Sequence, residues 1–193
     1  MCRAVPVMPS HAAPTQLAHA RSPLARRYAY LAMHGGYGLT WLVKDATFPD
    51  RSWEAPASVP SFAVLFCLLG LFWITPALVA SSPPPPAEVT GLALVLYVFG
   101  FFMLHTGDAQ KFFTLRLRPN ALIDDGLFAR TRNPNYFGEL LIYSAFALSA
   151  CGSARWWPLP WAVNVLVWSA TPPPRAHPAC MHMHMPWAVN VLV

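Results

Sequence analysis

The side chains best suited to chemistry lie between His105 and Tyr143, where polar residues are set into apolar sequence. Glu139 lies inside an apolar run, and an isolated carboxylate at mid-bilayer depth costs at least about 2.5 kcal/mol. Asn135, Tyr136 and Tyr143 stand at i−4, i−3 and i+4 from Glu139, so on a helix the four residues form one polar stripe. We expect this stripe to line a pocket, because an ionisable residue within a membrane is by default functional; the alternative is packing alone.

The helix that carries the stripe is predicted to begin at Asn133 and Pro134, a capping residue followed by a favoured first helical residue. Arg130 and Arg132 directly precede it. Cations beside the free N–H groups of a helix start are typical of a site for phosphate or another anion. The alternative is that both arginines only anchor lipid headgroups.

A second polar face is predicted where the preceding apolar segment ends. His105 and Asp108 are three residues apart and share one side of a helix. Because only a short loop joins this helix to the next, we expect the Asp108 face and the Asn135 stripe to converge over one cleft. Arg116 and Arg118 belong to the loop between them.

The elements that must position these residues are predicted to be membrane helices. Of the 193 residues, 55% are hydrophobic and 11% are charged, against about 25% charged residues in soluble domains. Two long apolar stretches, 55–82 and 89–107, are predicted to span the membrane, and the shorter pair 136–152 and 156–170 is predicted to form a helical hairpin. The stretch 28–43 is predicted either to span the membrane or to re-enter it. We therefore expect an all-α integral membrane protein, a bundle of about four to five transmembrane helices with a polar cytosolic loop and a C-terminal helical hairpin.

The domain organisation follows from composition. Residues 1–27 form a basic arm, interpreted as disordered or as an organelle transit peptide, and 28–170 form the membrane domain. Residues 171–193 form a Pro-rich tail that repeats the PWAVNVLV of 160–167. Gly91 and Gly100 are expected to allow close helix approach.

Basic residues set the predicted orientation. The loop within 105–135 carries five, whereas the turn 83–86 carries none, so the loop is predicted to face the cytosol or its topological equivalent. The protein is expected to be multi-pass, with an endomembrane or organelle membrane as one option. Partners are expected to be membrane lipids and a hydrophobic small molecule or lipid substrate.

Two classes of site are excluded at this stage. The net charge of +5 is not gathered into the dense patch that nucleic acid requires, so no nucleic-acid partner is expected. The four cysteines lack CxxC spacing, and the MHMHM stretch at 181–185 has no preformed geometry, so no metal site is expected.

The order of motifs over residues 105–150 resembles a superfamily of membrane enzymes that includes steroid 5α-reductases, sterol reductases and isoprenylcysteine carboxyl methyltransferases. The motifs are His-x-x-Asp (His105, Asp108), Leu-Arg (Leu115, Arg116), Gly-Leu-Phe (126–128) and Asn-Tyr-Phe-Gly-Glu (135–139). Residues 33–50 are similar to the start of uncharacterised bacterial and organellar members.

The resemblance implies an oxidoreductase that uses NADPH to reduce a carbon–carbon double bond in a lipid-like or steroid-like enone. It also implies that Asp108, Arg116, Asn135, Tyr136 and Glu139 surround the nicotinamide and its phosphates. With the residues argued above, the predicted cofactor-binding set is Asp108, Arg116, Arg130, Arg132, Asn135, Tyr136, Glu139 and Tyr143. Catalytic residues are not predicted.

Two alternatives stay open. Arg132, Pro134 and Tyr136 are similar to the Arg-His-Pro-x-Tyr motif of the methyltransferase branch, with Asn133 at the His position, which implies a lipid or isoprenylcysteine carboxyl methyltransferase that uses S-adenosylmethionine. The other alternative is a non-catalytic, truncated membrane protein, because the superfamily usually continues into a polar segment where this sequence has its second PWAVNVLV. We accordingly expect the site to be open on its C-terminal side.

Overall fold

Helices account for the regular structure of the chain in the part that the structure describes. This structure is a computed structural model, and it describes residues 23–49, 58–70, 73–119, 122–152 and 158–170. The helices are α1 (Pro23–Thr47), α2 (Val59–Gly70), α3 (Ile74–Ser81), α4 (Ala87–Leu117), α5 (Pro134–Ser149) and α6 (Leu159–Ala170), with a 3₁₀ turn at Gly126–Ala129. Strands are absent from these ranges, which confirms the expected all-α class for them.

Helices α4 and α5 pack antiparallel through glycine. A Cβ atom added to Gly100 would lie 2.6 Å from the Gly138 carbonyl oxygen, and one added to Gly138 would lie 2.5 Å from the Gly100 carbonyl oxygen. Gly107, about two turns from Gly100, makes a similar close approach to the first turn of α5. Gly100 therefore has the role expected of it, whereas Gly91 does not, since a Cβ there would meet nothing within 4 Å.

Helix α1 lies along α4 and presents one inward stripe. Its buried residues are Arg26, Tyr30, Met33 and Lys44, a spacing that keeps to one helical face. The Tyr97 hydroxyl of α4 donates a hydrogen bond of 2.8 Å to the Met33 carbonyl oxygen, which fixes the position of α1 along α4.

The start of α1 is bound to the end of α3. The Arg26 guanidinium donates hydrogen bonds to the carbonyl oxygens of Val79, Ser82 and Pro83. These carbonyls lie at or just beyond the C-terminal end of a helix, where a cation complements the helix dipole. The boundary drawn at residue 27 thus lies inside α1, and the remainder of the expected arm, 1–22, lies outside the described residues. The expected tail, 171–193, does so too.

The core lies where α1, α3, α4 and α5 meet. Its buried members are Tyr30, Met33, Leu78, Val79, Leu104, Ile142, Phe146 and Ala150. Away from this core the helices present apolar side chains outward, among them Leu39, Leu42, Phe66, Val98 and Phe102. An outer surface of this kind is typical of a protein that contacts lipid or another apolar partner.

The expected spans are matched in part. By length and composition, α4 is the one helix among the described residues that could cross a membrane, so the number of transmembrane helices stays a prediction. Within the stretch 55–82 the structure describes α2, which ends at Gly70, and α3, which begins at Ile74. The stretch 28–43 is helical throughout as part of α1. The expected hairpin corresponds to α5 and α6, and residues 153–157 between them are not described.

Gln110 holds the loop that leads to α5. Its Nε2 donates hydrogen bonds of 2.9 Å to both the carbonyl oxygen and Oδ1 of Asp125, and its Oε1 accepts one of 3.1 Å from the Leu127 N–H. Gly126 between them has φ of +55°, and a Cβ atom there would lie 2.6 Å from the Gln110 amide. The positive φ favours glycine here, and a Cβ atom would also displace the Gln110 amide that holds the turn.

Candidate functional site

Polar side chains from three helices meet on the inner side of the α1, α4 and α5 packing. We name this group the polar cluster. Its members are Tyr37, Thr40 and Lys44 of α1, His105 and Asp108 of α4, and Asn135, Glu139 and Tyr143 of α5. Each helix contributes residues three or four positions apart, so each presents one face to the cluster.

A buried ion pair, hydrogen-bonded to a partly buried amide, lies within the polar cluster. Lys44 Nζ lies 2.8 Å from Asp108 Oδ2, and the two side chains are only 5% and 7% exposed. The other carboxylate oxygen, Oδ1, accepts a hydrogen bond of 3.1 Å from Asn135 Nδ2. The Lys44 ammonium also lies 4.2 Å from the centre of the Trp41 ring, a cation–π contact. A buried charge pair needs such additional partners, because its desolvation offsets much of its attraction.

Glu139 lies one turn beyond Asn135 on α5. It is close enough to Asp108 and Lys44 to interact electrostatically with both, so one ammonium lies among two carboxyl groups. The hydroxyls of Tyr37 and Tyr143 are 3.1 Å apart and both rings interact electrostatically with Glu139. The cluster therefore contains a carboxyl group near two tyrosines whose hydroxyls are hydrogen-bonded to each other.

His105 and Thr40 form the side of the polar cluster nearest the outer surface. His105 Nε2 lies 3.2 Å from Thr40 Oγ1, and the imidazole packs at 4.3 Å from the Phe101 ring. Thr40 and Phe101 also line an open groove between α1 and α4. The cluster is thus bordered on this side by an apolar surface.

Half of the predicted cofactor-binding residues come together. Asp108, Asn135, Glu139 and Tyr143 all belong to the polar cluster, and the Asp108–Asn135 hydrogen bond joins the two faces that were expected to converge. Helix α5 begins at Pro134 after Asn133, as expected, although the Asn133 side chain makes no capping hydrogen bond.

The other predicted residues lie outside the polar cluster. Tyr136 is 42% exposed in the first turn of α5. The side chains of Arg116, Arg130 and Arg132 are exposed at the end of α4 and in the loop before α5. These three arginines could meet an anion that approaches the same end of the bundle, but not one held inside it.

The contribution of α1 was missed by reasoning from sequence. Tyr37, Thr40 and Lys44 follow one another at helical spacing, so their common face could have been recognised. The sequence does not indicate which residues of other helices this face contacts. Among the described residues, no group of three or more His, Cys, Asp or Glu side chains could hold a metal ion.

Comparison with known proteins gives a family but no activity. Residues 41–172 match the family described as "Protein of unknown function (DUF1295)". The match covers more than half of the chain, so the chain belongs to this family. It includes Lys44 and all the polar cluster residues of α4 and α5. No curated protein and no solved structure matches the chain.

Proposed function

We propose that this DUF1295 chain is a multi-pass membrane oxidoreductase that uses NADPH to reduce a carbon–carbon double bond beside a carbonyl in a hydrophobic substrate. The observation that carries the proposal is the polar cluster itself. Asp108, Asn135 and Glu139, which the likeness to the 5α-reductase group assigns to a cofactor site, face one another across α4 and α5. Charged and hydrogen-bonding groups gathered within apolar helices are costly, and function is the default reason for keeping them.

The apolar surface supports a membrane location. Helix α4 meets the length and composition of a span, and its exposed side chains include Val95, Val98 and Phe102. Glu139 and Asp108 are turned to the inside of the same packing. A hydrophobic substrate would reach such a site from the bilayer.

The chain offers suitable groups for NADPH. The phosphates would be held by exposed arginines, Arg116, Arg130 and Arg132, near the start of α5, where free N–H groups favour an anion. Arg116 lies eight residues beyond Asp108 on α4, which is about 12 Å along the helix axis. An extended dinucleotide could therefore reach from the arginines to the polar cluster. Bound NADPH would supply hydride.

Reduction of an enone also requires a proton at the carbon next to the carbonyl. We assign this proton to the Tyr143 hydroxyl, which lies 3.1 Å from the Tyr37 hydroxyl and interacts with Glu139. Glu139 would take up a proton from solvent after each turnover and pass it to Tyr143. Lys44 would hold Asp108 in place, and Asp108 in turn would orient the Asn135 amide.

A methyltransferase is the second candidate. The observation in its favour is that Arg132, Asn133 and Pro134 lead directly into α5, with Tyr136 in its first turn, as the Arg-His-Pro-x-Tyr motif would need. In this reading S-adenosylmethionine would bind at the exposed side of the α5 start rather than against Glu139.

Equilibrium binding separates these candidates. NADPH and S-adenosylmethionine are each titrated into the detergent-purified chain by calorimetry, with a Glu139→Gln variant and an Arg132→Gln variant alongside. The reductase proposal expects NADPH binding that weakens in Glu139→Gln. Binding of S-adenosylmethionine alone, weakened in Arg132→Gln, would replace it with the methyltransferase. Binding of neither would favour a non-catalytic protein.

A further inference from the structure

An open groove lies between α1 and α4 beside the polar cluster. It is lined by Gly36 and Thr40 of α1 and by Tyr97, Val98 and Phe101 of α4, and its volume is about 190 Å³. Gly36 leaves the space open, since a Cβ atom there would lie 3.6 Å from the Tyr97 hydroxyl and a longer side chain would project into the groove.

The two ends of the groove differ in polarity. Gly36, Thr40 and Lys44 are four residues apart and therefore lie in one row on α1. The groove is apolar beside Gly36, ends at the Thr40–His105 pair, and is followed one turn later by the Lys44–Asp108 ion pair. A molecule with an apolar body and a polar end would match this order.

Volume and exposure restrict what that molecule is. Pockets that enclose drug-sized ligands measure roughly 300–1,000 Å³, so a space of about 190 Å³ matches a single hydrocarbon chain better than a fused ring system. The groove is open outward, where Val98 is 65% exposed on the helix best suited to span the membrane. A lipid chain could enter it sideways from the bilayer.

We propose that the substrate is a lipid with one linear chain, which lies in the groove while its enone end lies beside Thr40 and His105. The substrate class is then a linear-chain enone and not a steroid. This inference rests on the proposed reductase function for the enone, whereas the chain-binding groove stands on its own geometry.

Photolabelling tests the groove without NADPH. A linear enone with a diazirine near the end of its chain is added in trace amount to the protein in phospholipid nanodiscs, and labelled residues are located by mass spectrometry. We expect labelling of residues 97–101 to exceed that of Phe62 and Phe66, which are exposed on α2 and serve as the reference for ordinary lipid contact. Gly36→Leu should reduce groove labelling to that reference level.

The chain offers a matched control. Gly35→Leu adds the same side chain and the same gain in helix propensity, but a Cβ atom at Gly35 meets nothing within 4 Å, so groove labelling should persist. Val98→Trp is a second blocking variant at an exposed position, in case Gly36→Leu does not fold. Equal labelling of the groove and of α2 would contradict the proposal that the groove binds a lipid chain. Equal loss of groove labelling in Gly36→Leu and Gly35→Leu would contradict it as well.

Competition tests the substrate class. Excess unlabelled linear enone should abolish groove labelling, and a 3-oxo-4-ene steroid should leave it intact. Displacement by the steroid at equal concentration would overturn the linear-chain assignment. Specific groove labelling together with no NADPH binding would support the chain-binding groove and contradict the reductase proposal.

Discussion

Lys44 of α1 and Asp108 of α4 form a buried ion pair, with 2.8 Å between Nζ and Oδ2. The pair joins the first helix of the described chain to the α4–α5 unit at the level of Asn135. It thereby fixes which face of α1 is turned toward Glu139, and so links the packing of the bundle to the composition of the polar cluster.

Replacing one partner of this pair should destabilise the protein strongly. Lys44→Met leaves the Asp108 carboxylate buried without its cation, and such changes cost about 3–5 kcal/mol. The double variant Lys44→Met/Asp108→Asn removes both charges and should recover much of the loss. Thermal unfolding in detergent measures both.

The exposed pair Arg118–Asp125 is the control for this prediction. Its atoms are 3.6 Å apart and its side chains are 58% and 60% exposed, so Arg118→Met should cost no more than about 1 kcal/mol. Similar losses for Lys44→Met and Arg118→Met would mean that the inner pair does not hold the helices together.

The Gly100–Gly138 crossing should tolerate no added methyl group. In Gly138→Ala the new Cβ would lie 2.5 Å from both the Gly100 carbonyl oxygen and the Leu104 nitrogen, so α4 and α5 must separate. We expect a loss of about 1–3 kcal/mol. Gly91→Ala meets open space and should be neutral or stabilising by up to about 1 kcal/mol. If the unfolding curves of Gly138→Ala and Gly91→Ala coincide, the close packing of α4 on α5 at Gly100 and Gly138 is contradicted.

Helical spacing made half of the site predictable. Asn135, Glu139 and Tyr143 repeat every four residues after a helix start marked by Pro134, so their common face follows from the sequence. Gly91 and Gly100 differ by nine residues, about two and a half turns, and the same reasoning would have set them on opposite sides of α4.

Tertiary register made the other half unpredictable. Lys44 at the end of an apolar stretch is equally typical of a headgroup anchor, and only the packing of α1 on α4, fixed in part by the Tyr97–Met33 hydrogen bond, turns it toward Asp108.

Glu139→Gln should weaken NADPH binding and leave folding intact. The amide keeps the size of the side chain and removes its charge. A hydrogen bond to a charged group is worth about 1.5–3 kcal/mol, so the Kd should rise by about tenfold or more. Glu88→Gln, exposed in the first turn of α4, is the control for loss of one negative charge. Unchanged affinity in Glu139→Gln would return Glu139 to a packing role.

The loop before α5 should be accessible from the cytosolic side. After replacement of the four native cysteines, Leu122→Cys introduces a single thiol at an exposed loop position, and Pro86→Cys introduces one at the opposite end of α4. An impermeant maleimide applied to each side of sealed vesicles should label Leu122→Cys from the cytosolic side and Pro86→Cys from the other. The reverse pattern would invert the orientation.

Tyr143→Phe should separate turnover from cofactor binding. The variant loses the hydroxyl assigned to proton donation, and general acid catalysis contributes about 10²–10⁴-fold, so kcat for a linear enone should fall by about a hundredfold or more while the Kd for NADPH changes far less. Tyr37→Phe, whose hydroxyl lies 3.1 Å from that of Tyr143 without being the assigned donor, should have a smaller effect on kcat. Tyr28→Phe, exposed on α1, controls for loss of a hydroxyl as such.

Because the proposed role is proton transfer, the pH profile of kcat should also change in Tyr143→Phe but not in Tyr28→Phe. A Tyr143→Phe variant with parental kcat and an unchanged pH profile would show that the proton comes from elsewhere and that the two tyrosines only pack α1 against α5.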